Sequence, residues 1–438
     1  MTNSPEELAR SAPHRLAGAL PEGVKGPLQR VRALAEERGW SAYLVGGFVR
    51  DALLGIPQKD VDLTVVGNGV ALAHLLASEL GTEVEVADRF GTATVGIGGG
   101  LDLDFVTARK ESYPSPGALP VVEAGSLEDD LARRDFTMNA LAAPIDKAGF
   151  GKLIDRHGGM ADIAAGLVRV LHPGSFEDDP TRIFRAVKYA ERLGFKIERD
   201  TLELMLRAVR DGALGTLSTE RAVRELLAIM EEPRAEAMLA ALDRSRLGVL
   251  PSVHPGLAWH YPPGRVRLTD DSNLTPGQRR DAYLAVMAAE YAGAPGEAEA
   301  LARWLRLPAP LVRLFRDAAA LAGLWPRLSN EELRPSEVYH MLNGLSDAAL
   351  EAFGRLEALR ADSVGWKRFQ VYMTRTRNVK AQLTGDYLRA LGVKEGPAYR
   401  EALGALHDAV LDGLVAGKEE EERFVREWLR AMGLLGES

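Results

Sequence analysis

The stretch YLVGGFVRDALLGIPQKDVDLTVVG, Tyr43 to Gly67, decides the fold. A short apolar run ends at Gly46 and Gly47, a helical segment follows, and KDVDLTVV then alternates as a strand does. Glycine lets the backbone come close, so amide groups and a helix amino terminus stand where a phosphate can rest; a plain tight turn has the same spelling. On a strand, residues two apart point to one side, so Asp60 and Asp62 face one point while Val61 and Leu63 face the core. Two adjacent like charges require a compensating cation. The natural occupant is Mg²⁺, which takes a few carboxylates together with substrate phosphates. A second alternating run, LDLDFVTAR, puts Leu101, Leu103 and Phe105 on one face and Asp102 and Asp104 on the other. Asp104 is then a third carboxylate on the metal side, or the run is simply an amphipathic strand with a solvated face.

Outward from this core, residues 1–38 read as a polar arm and one helix with apolar positions at Leu28, Val31, Leu34 and Ala35. Residues 39–150 read as a mixed α/β head. Beyond Asp155 helical spacing dominates, giving segments 151–250, 251–365 and 366–438, with the Pro/Gly-rich stretch Pro251 to Gly277 as a boundary. His254 and His260 in that stretch are read as local packing. Of 438 residues 46% are hydrophobic and 26% charged, which excludes a disordered or fibrous chain. No run approaches the ~20 apolar residues of a membrane span. The absence of cysteine excludes disulfides, thiolate zinc sites and cysteine nucleophiles, so a metal must sit on oxygen or on the eight histidines. The amino terminus has no apolar export segment, and the cytoplasm is the expected compartment. A net charge of −8 argues against general nucleic-acid coating but leaves room for a local basic groove.

GGFVRDALLGIPQKDVDLTVVG resembles the signature of the class II CCA-adding enzyme and bacterial poly(A) polymerase family, within the polymerase-β-type nucleotidyltransferases. Further motifs follow in the family's order: RRDFTMNALA (Arg133 to Ala142), LIDRHGGMADI (Leu153 to Ile163), DDPTRIFRAVKYAERLGF (Asp178 to Phe195) and LSTERAVREL (Leu217 to Leu226). The resemblance implies an α+β fold: a nucleotidyltransferase head with a mixed sheet and helices (39–150), then an all-helical neck with the nucleobase-selecting motif (151–250), a body (251–365) and a tRNA-binding tail (366–438). It implies template-independent addition of C and/or A to the tRNA 3′ end from CTP or ATP with release of pyrophosphate, with neither DNA nor membrane as partner. A poly(A) polymerase of the same family is the nearest rival. A non-catalytic RNA-binding homologue is another, although its expected mark, loss of an Asp60 or Asp62 carboxylate, is absent.

By the same resemblance Asp60 and Asp62 hold two Mg²⁺ ions, and Asp104 aligns with an acidic catalytic position. Gly46, Gly47 and Arg50 contact the triphosphate, while Asp51 pairs with a nearby Arg and fixes the turn. Arg133, Arg134, Asp135 and Asn139 handle the sugar and phosphates; that run also reads as a helix turn with a capping Asp. For base choice the family uses Glu-Asp-x-x-Arg, and this chain has Asp178, Asp179 and Arg182, its lead residue one methylene shorter. A carboxylate only accepts hydrogen bonds and a guanidinium only donates them. Asp179 and Arg182 on one helical face therefore match the amino donor and ring-nitrogen acceptor of cytosine or adenine, and mismatch uracil or guanine. The alternative is a capping Asp and a surface ion pair. Arg185, one turn on, matches the family as a base or phosphate contact. Arg109 to Asp130 occupies the position of the family's mobile loop. In the tail, Lys367, Arg368, Arg375, Arg377 and Lys380 lie among Trp366, Phe369 and Tyr372 without an acid, a pattern that suits a backbone-tracking groove or an amphipathic helix with solvated cations.

Overall fold

The apolar runs become strands of one mixed sheet. In the computed structural model the described residues are 4–435 apart from 59, 88–90, 148, 244–246, 254–267, 269–272, 331 and 357–362, so His254 and His260 lie outside them. The chain divides into two units, Met1–Tyr261 and Pro262–Ser438.

Residues 1–38, expected to be an arm with one helix, hold two: α1 (Pro5–Ala19) and α2 (Lys25–Glu36). The overlooked start signal is a capping box at Ser4 and Glu7 with Pro5 at the first helical position. Leu8, Ala12 and Leu16 of α1 are buried, as are Leu28, Val31, Leu34 and Ala35 of α2.

The head then runs β1 (Ser41–Val45), α3 (Gly46–Leu54), β2 (Val61–Val66), α4 (Gly69–Leu80), β3 (Val84–Ala87), β4 (Thr92–Gly98), β5 (Leu101–Thr107), β6 (Arg109–Ser112), β7 (Val121–Ala124), α5 (Leu127–Ala132), β8 (Leu141–Asp146), β9 (Gly149–Phe150) and β10 (Ile154–Asp155). The sheet order is β10-β8-β1-β2-β5-β4-β3, with β9 on β8. Only the β2–β5 pair among these is parallel, and it sets Asp62 opposite Asp104. Val61, Leu63 and Val65 point into the core with no exposure. Gly55, at φ 72°, ends α3, and α1 packs on that helix with Arg15 Nη1 donating to the Leu53 carbonyl at 2.8 Å. The segment expected to be a loop after Arg109 contains the antiparallel β6–β7 hairpin.

The first unit continues as α6 (Gly159–Ala165), β11 (Leu167–Val168), α7 (Ser175–Asp178), α8 (Thr181–Leu193), β12 (Lys196–Ile197), α9 (Arg199–Arg210), α10 (Thr219–Met230) and α11 (Ala235–Leu242). Short β11 and β12 pair in parallel within this otherwise helical stretch. The second unit is helical: Pro276–Ala289, Pro295–Trp304, Ala309–Asn330, Pro335–Leu342, Asp347–Gly354, Ser363–Thr374, Gly385–Ala390, Pro397–Leu411 and Lys418–Ala431 are its longer helices. The last three pack around Leu388, Ala402, Leu406, Val425 and Leu429. Among the described residues no helix is long and apolar enough to cross a membrane.

Candidate active site

Asp62 stands on the face of β2 opposite its core residues, and Asp60 lies one residue before the strand, exposed. Burial first, then the Asp104 carboxylate, push the Asp62 carboxyl above its usual range; Arg134 opposes this and Asp60 adds to it. Asp104 accepts from Thr94 Oγ1 at 2.5 Å across the β4–β5 pair. Among the described residues no three acidic or imidazole groups form a complete metal cage. The donors are nonetheless all hard oxygens carrying mutual repulsion, which fits a divalent cation completed by phosphate and water. Members of nucleotidyltransferase families generally use such a metal.

Beside this cluster the glycine turn has a defined neighbour. Gly46 has φ +65°, and a Cβ there would sit 2.6 Å from Arg134 Nη1; at Gly47 the nearest atom would be Arg50 Nη2 at 3.8 Å. Arg134 Nε is buried without a hydrogen-bond partner among the described residues. Both arginines of RRDFTMNA are held from behind by Asp130, which has no exposure: Arg133 Nη2 reaches it at 2.7 Å and Arg134 Nη2 at 2.9 Å. Burial alone would raise the Asp130 carboxyl, but Arg134 and Arg133 outweigh it and hold it low. Thr64 Oγ1 donates to Asp130 from β2 at 3.2 Å, tying this clamp to the strand that bears Asp62. Arg133 also reaches Glu111 of β6 at 3.1 Å. The Tyr113 hydroxyl donates to Glu111 at 3.1 Å, and burial followed by that carboxylate pushes its pKa up to about 12. Sequence reasoning missed Asp130, although Asp130, Arg133 and Arg134 have the i, i+3, i+4 spacing of helical ion pairs.

Arg50, expected at the triphosphate, is 2% exposed and turned inward. Its Nε and Nη2 bond the Asp51 carboxylate at 2.7 and 2.8 Å, and its Nη1 bonds Asn139 Oδ1 at 2.7 Å. Asp51 thus finds its arginine next door. Asn139 in turn donates to Asp135 Oδ1 at 2.9 Å, and Arg185 Nη2 lies 2.6 Å from Asp135 Oδ2. Burial raises the Asp135 carboxyl, and Arg185, Asn139 and Arg182 more than offset it, leaving it below its usual range.

The expected Asp179–Arg182 pairing takes a different form. Asp179 is extended, between α7 and α8, and its Oδ1 accepts from Thr181 N at 3.0 Å and from Arg221 Nη2 at 2.8 Å. Arg182, 3% exposed, spends Nη2 on the Arg133 carbonyl at 2.8 Å and Nη1 on Ser175 Oγ. The Asp179 oxygen that could meet it is already taken by Thr181 and Arg221, and the buried guanidinium is satisfied by the backbone and hydroxyl acceptors beside it. Asp178, the shortened lead residue, faces His172 at 3.7 Å.

In the second unit, Phe369 and Tyr372 are buried in the core, so they cannot stack on nucleic-acid bases as the tail pattern suggested. Trp366 stacks on Phe369, at 5.7 Å between centroids. Lys367, Arg375 and Lys380 are exposed, whereas Arg368 donates to the Leu328 carbonyl at 2.7 Å and Arg377 bonds Asp347 at 2.5 Å.

A mixed sheet presenting carboxylates on neighbouring strands, beside a glycine turn and braced arginines, has the construction of a nucleotidyltransferase head. Residues 42–169 match the Poly A polymerase head domain family. The chain is 34% identical to the A-adding tRNA nucleotidyltransferase of Geobacter sulfurreducens over 94% of its own length but only 48% of that protein's. Against the A-adding tRNA nucleotidyltransferase of Halalkalibacterium halodurans it is 31% identical, covering 92% of each. Against the CC-adding tRNA nucleotidyltransferase of Deinococcus radiodurans it is 34% identical, covering 89% of each. A solved structure of a CCA-adding enzyme in its apo form II superposes with a TM-score of 0.74 at 27% identity, over 96% of this chain and 98% of that one. The chain belongs to the family of tRNA nucleotidyltransferases and bacterial poly(A) polymerases.

Proposed function

We propose that this protein adds single nucleotides, A and/or C, to the 3′ end of tRNA from ATP or CTP, releasing pyrophosphate. The observation that carries the reading is the Asp62–Asp104 register pair set beside Asp60, with Arg134 packed against Gly46. Two Mg²⁺ ions held by Asp60 and Asp62 would favour ionisation of the primer hydroxyl and neutralise the triphosphate. The chain's own part is positioning and charge. Amides at Gly46 and Gly47 donate to phosphate oxygens, while Asp130 keeps Arg133 and Arg134 aimed beside them. Arg50, Asp51, Asn139, Asp135 and Arg185 hold the turn and the motif together behind the nucleotide. Asp179 accepts from the amino group of adenine or cytosine. Arg182 braces the neck against the Arg133 carbonyl, so its part in base choice is support as well as charge. Functionally, 39–150 is the head, 151–250 the neck, 251–365 the body and 366–438 the tail, where Lys367, Arg375 and Lys380 meet phosphates and Arg368 and Arg377 help from their anchored positions. Cytoplasmic tRNA is the substrate pool this reading implies.

The test supplies ATP and CTP separately to tRNA ending before the CCA, after the first C and after CC. The names of the Geobacter and Halalkalibacterium relatives favour extension of the CC-ended tRNA by ATP, and the Deinococcus relative makes CTP the competing donor. No extension of any of the three tRNAs would overturn the proposal.

A further inference from the structure

LSTERAVREL supplies the family resemblance with a motif but no chemistry, and its Arg221, on α10, lands at the base-selecting residue. Arg221 Nη2 lies 2.8 Å from Asp179 Oδ1, and Arg221 Nη1 donates to the Gly117 carbonyl at 2.6 Å. Gly117 sits in the turn between β6 and β7, where its N–H donates to the Glu177 carbonyl at 3.0 Å and a Cβ would collide with Thr216 Oγ1 at 2.0 Å. Both Nη groups of the guanidinium are therefore engaged, and leaving the carboxylate would also strain its bond to the turn.

On the carboxylate, all the contacts fall on one oxygen. Oδ1 takes Arg221 Nη2, Thr181 N at 3.0 Å and Thr181 Oγ1 at 2.6 Å. Oδ2 has no partner among the described residues. A carboxylate held by three donors at one oxygen has its plane fixed and offers a single acceptor outward.

We propose that Arg221 is a positioning residue for base choice: it orients Asp179 so that only Oδ2 meets the nucleobase, admitting an amino group and refusing a carbonyl. The inference rests on the reading of Asp179 as the base selector. Thr181 alone would leave the carboxylate capped but without its counter-charge, and that difference is what substitution of Arg221 exposes.

The experiment compares single-nucleotide incorporation efficiencies for ATP against GTP and CTP against UTP, on tRNA, in the full-length wild type, Arg221→Ala, Arg221→Gln, Arg221→Lys and Asp179→Ala, each checked by thermal melting. Arg221→Ala and Arg221→Gln are expected to lower the selectivity for amino-bearing bases about tenfold, the scale of one charge-assisted hydrogen bond, with the KM for tRNA unchanged. Arg221→Lys keeps the charge and should recover part of the ratio. If Arg221→Ala does not fold, the milder Gln variant carries the same test. Equal loss of rate with every nucleotide and a wild-type ratio would overturn the role of Arg221, provided Asp179→Ala loses selectivity. A wild-type ratio in Asp179→Ala would instead overturn the base-selector reading beneath it.

Discussion

Gly46 and Gly47 are neighbours with different reasons to be glycine. Gly46 combines a left-handed φ of +65° with Arg134 Nη1 at 2.6 Å from where a Cβ would stand, whereas Gly47 has open space to 3.8 Å. Gly46→Ala should cost about 1–2 kcal/mol in stability from the backbone alone and should also displace Arg134, lowering transfer. Gly47→Ala should be neutral or stabilise α3 by up to about 1 kcal/mol, which denaturant titration of both variants would show. At the carboxylates, Asp62→Ala should reduce transfer at least about 100-fold, as loss of a charge-stabilising group does, while leaving the melting temperature unchanged or raised, because it relieves repulsion from Asp104 and Asp60. Substantial metal-dependent transfer in that variant would reject the catalytic role. Asp135 carries a pH signature of the opposite sign. Its carboxyl titrates below its ordinary value in the folded protein, so its contribution is present above about pH 4 and is lost as pH falls through the folded pKa. Asp135→Asn should be less stable at neutral pH by about 2 kcal/mol and should show a flatter loss of stability as the pH falls below about 4. An unchanged slope would show that the Asp135–Arg185 pair is not what acid breaks.

Elements differ in how far their residues announce them. The alternation in KDVDLTVV and LDLDFVTAR was enough to read β2 and β5 as strands, because a buried face fixes strand side chains with period two, while the mixed sheet was an expectation from the family resemblance. Their parallel register, which brings Asp62 to Asp104, depends on the chain crossing back through α4, β3 and β4, and no local pattern encodes that. The β6–β7 hairpin was hidden because its prolines and glycine sit in the turn and drew attention from the short flanking strands. The Asp179–Arg182 spacing was legible, but its partners were not: Arg221 lies 42 residues along and Ser175 is seven back. Helix α1 is the clearest omission, read as an arm although Ser4, Pro5 and Glu7 cap it. It buttresses α3, whose first residues form the glycine turn. Leu16→Ala, at a side chain with no exposure, should therefore destabilise the protein by about 2–5 kcal/mol, measurable by chemical unfolding. A loss below about 0.5 kcal/mol would mean that α1 adds little to the fold.

Across the whole molecule, the proposed function has a tRNA held by residues 251–438 while residues 39–150 act on its 3′ end. Within the second unit, Asp412 joins helix 397–411 to helix 335–342 by accepting from Ser336 N at 2.8 Å and Ser336 Oγ at 2.9 Å, with Arg334 at 3.5 Å. Asp412→Ala should loosen this joint and raise the KM for full-length tRNA about tenfold, while a short acceptor-stem mimic that never reaches the tail should be unaffected. Equal effects on both substrates would exclude the tail as a tRNA-holding element. The central claim is that the protein's side chains, with no nucleic-acid template, choose the base added to tRNA. Its most direct test is the ratio of ATP to GTP incorporation, and of CTP to UTP, onto tRNA in wild type, Asp179→Ala and Arg182→Ala. The account predicts that Asp179→Ala loses most of the discrimination while still transferring, since Asp60 and Asp62 remain, and that Arg182→Ala loses less. Wild-type ratios in both variants, accompanied only by a slower rate, would contradict it.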